Sequence, residues 1–376
     1  MLFDWLIVGA GPTGATLAER LASELNQTVL IVDQRDHIGG NAYDYVNEHG
    51  ILVHKYGPHV FHTNSDKIWQ YLSQFTTWRP YEHRVLAVVD GRKIPVPFNL
   101  NSLHALFAEK EAKHLENLLL KRYKEGAKVP ILKLVVDSDP ELRGLGELIY
   151  TKIFYGYTVK QWDLKPEEID PSVTGRVPVF VSRDDRYFQD RYQAMPELGY
   201  THLFQKMLSH PNITVLTNTS HRTVAGTMKF NRMVYTGAVD AFMNFVHGEL
   251  PYRSLRFREL TVPQEWWQEV GTVNYPNNHK FTRITEQKHL TGQSSPQTTL
   301  IVEFPQSHIQ GKNEPYYPIP RPENHERYNL YLREARKLNG TVFFAGRLGD
   351  YKCYSINQAV ARALTLFENE LADCTA

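Results

Sequence analysis

Cysteine is nearly absent from this chain of 376 residues: Cys353 and Cys374 are the only two, and neither stands at a metal or disulfide spacing. A stapled secreted scaffold is excluded, and the composition fits a reducing cytoplasm. Net charge is scarce too, with 42 Lys and Arg against 41 Asp and Glu leaving a formal +1. That balance excludes a general nucleic-acid or membrane-surface binder, so an anionic ligand must be met by local arginines. Long apolar runs are missing as well. The first, ending at Val8, is a handful of residues whose approach is interrupted by Asp4, which reads as a strand and not as a membrane span or signal peptide. No internal repeat or low-complexity tract is visible. What remains is a globular chain long enough for two or three lobes. Aromatics are plentiful, with 21 Tyr, which suits stacking and hydroxyl contacts to a polar ligand.

The most informative segment begins at Leu6-Ile7-Val8, a buried-strand signature running into Gly9-Ala10-Gly11-Pro12-Thr13-Gly14. An alanine- and leucine-rich helix follows, then a second apolar strand, Val29-Leu30-Ile31-Val32, ending in Asp33. Gly9 permits a sharp turn, Gly11 lets backbone approach a pyrophosphate, and Gly14 lets the helix pack close to the strand. The positive end of the helix, with Thr13 in its first turn, then faces the phosphates. Asp33 lies about 20 residues on, where a carboxylate can accept from ribose hydroxyls. Next come Gln34-Arg35-Asp36-His37-Ile38-Gly39-Gly40-Asn41. An arginine followed by paired glycines past the second strand argues for FAD over NAD.

Residues 1 to about 80 read as α/β. After Pro95-Val96-Pro97 the pattern turns helical, with Ser102 as N-cap and an apolar stripe from Leu103, Leu106 and Phe107. Pro166 and Pro171 bracket a loop. Strand-like runs recur at Ile213-Leu216 and Thr299-Val302. Thr341 to Gly346 reads as a late buried strand before a helix with a stripe from Ile356 to Phe367. A nucleotide domain closing with strand, glycine and helix at the C-terminal end is typical of FAD proteins, in which the last helix aims its N-terminus at the isoalloxazine. The expected fold class is therefore α/β: an FAD-binding Rossmann-like domain with an inserted helical bundle and antiparallel sheet. Its expected parts are 1–80 with 205–240 and 335–376 for the nucleotide, a helical lobe over 100–165 with a mobile loop near 165–178, and a sheet lobe from 81–99, 179–204 and 241–334.

At this point the chain resembles the bacterial UDP-galactopyranose mutases, nearly end to end. The motifs that carry the likeness are Asp33 to Asn41, Tyr56-Gly57-Pro58-His59-Val60-Phe61-His62-Thr63, Gly156 to Trp162, Arg176-Val177-Pro178-Val179, Phe281 to Glu286, Tyr316-Tyr317-Pro318-Ile319 and Gly346-Arg347-Leu348-Gly349. The resemblance implies three lobes, a mobile loop over the cleft, a homodimer and an isomerase making a cell-surface polysaccharide precursor. It implies that UDP-galactopyranose and UDP-galactofuranose interconvert, with N5 of reduced FAD as nucleophile at the anomeric carbon and NADPH or a similar donor as reductant. The protein must then place that carbon and stabilise the departing diphosphate.

Arg176 and Arg283 match the family's two diphosphate-clamping arginines, whose planar forks suit phosphate; Arg176 lies by the mobile loop and can arrive with substrate. Arg347 matches a third, near flavin and sugar nucleotide. Tyr187 and Tyr317 match hydroxyl donors to the diphosphate. Tyr157 matches the aromatic that stacks on uracil, with Phe154 beside it, Thr158 and Asn274 as polar contacts and Trp162 lining the site. His59 lies against the flavin in the family, next to Val60, and His62 lines the sugar pocket. No third ligand makes the two histidines a metal site. His83 occupies a sugar-facing position that is Asn or His in the family. At the flavin end, Gly40, Asn41, Gln34, Ser355, Ile356 and Asn357 complete the expected cofactor contacts.

Two places depart from the family pattern. Cys353 stands where a tyrosine usually bonds the diphosphate, and Tyr354 beside it is expected to point elsewhere. Ser355 stands where an aspartate is usual; it can cap the last helix but brings no negative charge. These changes leave open a mutase for an N-acetylated, 6-deoxy or dTDP-linked sugar. An FAD oxidoreductase of the amine-oxidase-like group and a non-catalytic nucleotide-sugar binder are the remaining alternatives.

Overall fold

The computed structural model describes residues 2–170, 173, 177–338 and 340–372. The chain divides into two compact units, the first made of Met1–Pro80, Asp190–Tyr252 and His308–Ala376, the second of Tyr81–Gln189 and Arg253–Ser307.

In the first unit the opening apolar run is the strand Leu2–Val8, and Val29–Val32 and Ile213–Leu216 are strands where expected. They join Lys229–Tyr235 and Val342–Phe344 in a parallel sheet ordered Ile213–Leu216, Val29–Val32, Leu2–Val8, Lys229–Tyr235, Val342–Phe344. Leu6, Ile7 and the whole of Val29–Val32 are fully buried, as a parallel sheet covered on both faces requires. Lys229–Tyr235 escapes a sequence reading because Lys229, Asn231 and Arg232 interrupt its apolar pattern; only Met233, Val234 and Tyr235 are buried. Successive strands run outward from Leu2–Val8 to one side and then restart on the other. The direction therefore reverses between Leu2–Val8 and Lys229–Tyr235, and the carboxyl ends there open a crevice.

The helix Pro12–Leu25 begins with proline at its first position and ends at Asn26, whose φ of 52° is left-handed. It packs on the late helix Ile356–Leu366, burying Leu17, Ala18 and Leu21 on one side and Val360 and Ala363 on the other. A three-stranded antiparallel sheet of Phe61–Thr63, Tyr192–Pro196 and Trp78–Pro80 also belongs to this unit. Residues 190–204 therefore sit with the nucleotide unit and not with the sheet lobe expected to hold them, because Tyr192–Pro196 is the central strand here. Residues 241–252 and 308–334 fall in it too.

The second unit pairs Tyr252–Val262 with Thr298–Ser307, then Arg283–Glu286, then Thr272–Asn274, all antiparallel. Thr272–Asn274 then runs parallel to Val85–Val89, which turns back antiparallel onto Arg92–Val96. The helices over residues 100–162 do not form a core of their own. Leu103, Leu115, Leu142 and Ile149 pack with Val85, Val96, Phe98 and Val179 in one apolar cluster. The first of these helices is Leu100–Leu106, and its N-cap is Asn99, not Ser102. The Asn99 side chain accepts from the backbone N–H groups of Asn101 and Ser102 at 2.9 and 3.1 Å, and the Ser102 hydroxyl accepts from the Asn99 N–H at 2.9 Å; the serine closes a capping box three residues in. Among the described residues no helix is long and apolar enough to cross a membrane.

Candidate active site

The first unit holds a cavity of about 1000 Å³ at the carboxyl ends of its parallel strands, at the upper end of ligand cavities and suited to a dinucleotide. Of the residues expected to hold the cofactor, Gly9, Gly11, Thr13, Gly14, Asp33, Gln34, Gly40, Asn41, His59, Arg347, Ser355 and Ile356 line it, and Val60 and Asn357 do not. Asn357 instead accepts a hydrogen bond from the Ser355 hydroxyl.

The three glycines act for different reasons. Gly9 has φ of 101°, and a Cβ there would come 2.1 Å from the Thr236 hydroxyl across the sheet's switch point. A Cβ on Gly14 would lie 1.9 Å from the Gly9 carbonyl oxygen, so helix and strand meet backbone to backbone. Gly11 has ordinary extended geometry, and its Cβ would find only the Gly40 backbone, Cα at 3.6 Å and N at 4.0 Å. Among the described residues nothing requires glycine there; the space it leaves faces the cavity. That is the cradle a diphosphate needs, and the residues present fit FAD. Asp33 does more than await a ribose. Its two oxygens accept from the Ala10 N–H at 2.9 Å and the Arg35 N–H at 3.0 Å, which ties the glycine turn to the second strand.

The histidines are held by their neighbours. His59 Nδ1 meets the Gly57 carbonyl at 3.0 Å, and its backbone N–H donates to His54 Nδ1 at 3.3 Å. His62 Nδ1 lies 2.9 Å from the Asp190 carboxylate, so the neutral ring presents Nε2 as an acceptor. Among the described residues no group of His, Cys, Asp and Glu could hold a metal ion. Burial pushes His54 and His62 below the ordinary histidine value, and Asp44 and Asp190 offset it only in part; His37 and His221 are lowered the same way. The unfolded chain takes up these protons first. Stability is therefore intact above about pH 6.5 and is lost as pH falls below it, by up to about 1.4 kcal/mol per pH unit for the fully buried His54 and by less for the less deeply buried rings. Thermal unfolding followed from pH 7.5 to 5.5 should show a falling midpoint, and His54→Gln should flatten that fall; a midpoint that rises on acidification would contradict the assignment.

Arg347 donates to the Tyr354 carbonyl at 2.9 Å and lies 5.5 and 5.4 Å from the rings of Tyr316 and Tyr317. Cys353 does not line the cavity, its sulfur standing 4.0 Å from the Pro318 carbonyl oxygen. Tyr354 lines it in part, while its phenol meets Asp350 and Arg362, which do not line the cavity. Burial, with Asp350 second, pushes its phenol up to about 12, so it stays a donor. Ser355 is the N-cap residue of Ile356–Leu366, and its backbone N–H donates to Gln358 at 3.1 Å.

In the second unit, Asn274 and Arg283 are cross-strand register partners. Arg283 donates through Nε and Nη2 to one oxygen of Glu303 at 2.9 and 2.8 Å. Glu303 is 1 % exposed, so the guanidinium is anchored by a buried carboxylate. Tyr157, Thr158 and Trp162 lie on the helix Gly156–Trp162, which continues a π-helical turn over Tyr150–Tyr155, a distortion frequent at functional sites. Phe154 is buried in the unit's apolar core. The His83 carbonyl accepts from the Tyr187 N–H at 2.7 Å, and the two rings meet edge to face. Arg176 lies outside the described residues.

A family model described as UDP-galactopyranose mutase matches residues 152–353, and one described as an NAD(P)-binding Rossmann-like domain matches residues 7–75. The UDP-galactopyranose mutase of Mycoplasma genitalium is 35% identical over 375 residues, spanning 95% of this chain and 92% of that protein. The chain belongs to the UDP-galactopyranose mutase family. It is thus an isomerase of the flavin-dependent mutase type. The family is not uniform in what its members are named for. A dTDP-fucopyranose mutase of Escherichia coli is 32% identical, covering 96% of each chain. In fold, a crystal structure of a reduced UDP-galactopyranose mutase matches with a TM-score of 0.73 at 16% identity, covering 100% of this chain and 95% of that one.

Set against the mutase motifs, the cavity wall adds residues no motif singled out. Arg222, Thr236 and the loop over residues 308–315 line it. Thr236 follows the strand Lys229–Tyr235, and its hydroxyl donates to the Val8 carbonyl at 2.8 Å. The one available signal was a Thr-Gly pair after an apolar triplet. Glu314 carries a charge that an anionic cofactor would repel, and it is paired with Arg35 at 3.2 Å.

Proposed function

We propose that this chain interconverts the six- and five-membered ring forms of a nucleoside diphosphate hexose, UDP-galactopyranose and UDP-galactofuranose first among them. It would supply a precursor of cell-surface polysaccharide, working in the cytoplasm as a homodimer with NADPH or a similar reductant. The observation that carries the reading is a dinucleotide cradle in one unit and, in the other, an anchored Arg283 in register with Asn274. Arg176 and Arg283 grip the departing diphosphate, and Tyr187, Tyr317 and Arg347 add donors where negative charge grows. Tyr157 stacks on the base, with Phe154, Trp162, Thr158 and Asn274 around it. His62 and His83 orient sugar hydroxyls. The cofactor, bound by the glycine turn with Gly40, Asn41 and Asp33, supplies when reduced a nucleophilic nitrogen for the anomeric carbon. His59 and the Ser355–Asn357 turn shape the flavin end.

A second reading is a mutase for a 6-deoxy or dTDP-linked sugar, favoured by the similar identity to the dTDP-fucopyranose mutase and by Cys353 at a tyrosine position. The two separate on one experiment. Dithionite-reduced protein is incubated with UDP-galactopyranose, its N-acetylated analogue and dTDP-fucopyranose, and ring forms are resolved by chromatography. Conversion of the UDP-galactose at least about tenfold faster, ~1.4 kcal/mol of discrimination, is expected. Preference for the dTDP sugar supports the second reading, and turnover of no nucleotide sugar by flavin-loaded, reduced protein sinks both.

A further inference from the structure

The second unit contains a cation in an unusual place. Lys160, on the helix that carries Tyr157, Thr158 and Trp162, donates from Nζ to three backbone carbonyls of one loop: those of Tyr275, His279 at 2.9 Å and Phe281 at 3.1 Å. An ammonium has three donors, and all three are used. The loop joins Thr272–Asn274 to Arg283–Glu286 and is closed by the Tyr275 N–H donating to the Thr282 carbonyl at 2.8 Å. Three carbonyl dipoles turned toward one point repel one another unless a cation sits there. The loop's conformation thus depends on a residue of the helix.

Other contacts press the same two elements together. A Cβ on Gly156 would fall 2.4 Å from the Asn277 side-chain oxygen and 2.7 Å from the Pro276 carbonyl oxygen. Asn277 donates to the Lys152 carbonyl at 2.9 Å. The helix's end is held by a third element: Arg253, on the strand Tyr252–Val262, donates to the carbonyls of Gln161 at 3.0 Å and Lys160 at 3.4 Å. The two residues at the loop's ends, Asn274 and Arg283, are the register partners described above.

We propose that Lys160 is a positioning residue for nucleotide binding: its caged ammonium locks the helix bearing Tyr157, Thr158 and Trp162 to the strands bearing Asn274 and Arg283, so that base-side and diphosphate-side groups form one rigid shelf. The inference rests on the reading of those residues as the nucleotide site. Substrate is not touched by Lys160 itself; the residue acts through the loop. Burial pushes its amine down to about 8. Among the described residues the charged and titratable groups beside the cage are Arg253, paired with Asp163, at the helix end, Tyr275 and His279 on the loop, and Lys93 and Glu269 acting on Tyr275; burial moves the Tyr275 phenol upward. A neutral amine has only two donors for three carbonyls, so the shelf loosens as the ammonium is lost.

The test is calorimetric titration of UDP into flavin-loaded protein at pH 7 and 9, for wild type, Lys160→Met and Lys160→Arg, with flavin content and melting temperature measured alongside. Lys160→Met should weaken UDP by about tenfold or more at pH 7 with flavin content unchanged, and Lys160→Arg should recover part of the loss. Wild type should lose affinity several-fold from pH 7 to 9, while Lys160→Met stays flat; this arm needs no folded variant for its wild-type half. Lys160→Met binding UDP as wild type does, even with a lower melting temperature, overturns the proposal and leaves the functional reading standing, as does a wild-type affinity constant across the pH range. Wild type that binds neither UDP nor dTDP overturns the functional reading, and this proposal with it.

Discussion

Gly11→Ala should purify folded but colourless, its affinity for FAD reduced about 100-fold, the equivalent of ~2.7 kcal/mol. The added methyl group meets only the Gly40 backbone, at 3.6 Å or more, and the backbone at Gly11 is extended. The chain itself tolerates it. The loss arises because the methyl occupies the place where a pyrophosphate must touch the helix's first amides. Gly14→Ala provides the contrast. Its Cβ falls 1.9 Å from a backbone oxygen, so strand and helix must part, at about 1–3 kcal/mol of strain whether or not cofactor is present. Melting the two apoproteins separates the effects: Gly11→Ala should match wild type and Gly14→Ala should not. Added FAD should raise the wild-type midpoint far more than that of Gly11→Ala. A yellow Gly11→Ala protein with stoichiometric flavin would remove the diphosphate from this turn.

Arg283→Lys should lower turnover of the nucleotide sugar by about 10²- to 10³-fold, or roughly 3–4 kcal/mol of transition-state stabilisation. Lysine keeps the charge and gives up the fork. Alanine is the poorer probe here. Glu303 is 1 % exposed, and its second oxygen has no hydrogen-bond partner among the described residues. Removing Arg283 would leave that carboxylate buried and unpaired, a cost of about 3–5 kcal/mol to the fold that would be mistaken for lost catalysis. Arg283→Ala with Glu303→Gln removes both charges and should fold better than Arg283→Ala alone while remaining as inactive. The comparison requires steady-state kinetics and a melting curve on each variant. Full turnover by Arg283→Lys would mean that a point charge suffices and that no bidentate grip operates.

Much of the first unit was legible because its signals are local. A strand, a glycine turn, a helix with Pro12 at its start and a second strand ending in an acid occupy consecutive residues, and each choice follows from φ, from a missing Cβ or from unbroken apolar character. Lys229–Tyr235 was not legible, since only its last three residues are buried and Lys229, Asn231 and Arg232 break up its first half. Likewise Ser102 resembled a cap because serine often is one; Asn99 took the position, and the serine became its partner. For the second unit, the motif residues Tyr157, Asn274 and Arg283 could be named from their resemblance. Their relation could not, because it depends on strand register and on a lysine reaching across to a loop more than a hundred residues away.

The order of residues along the chain was enough to specify a cradle for a dinucleotide, since steric freedom at glycine and the polarity of a helix end act within one turn. Which groups hold Arg283, which face Tyr354 turns toward, and what the cation of Lys160 meets were decided only on folding. Those outcomes depend on burial and on distances between segments remote in sequence, where a carboxylate or an ammonium takes its strength from the water its neighbours exclude.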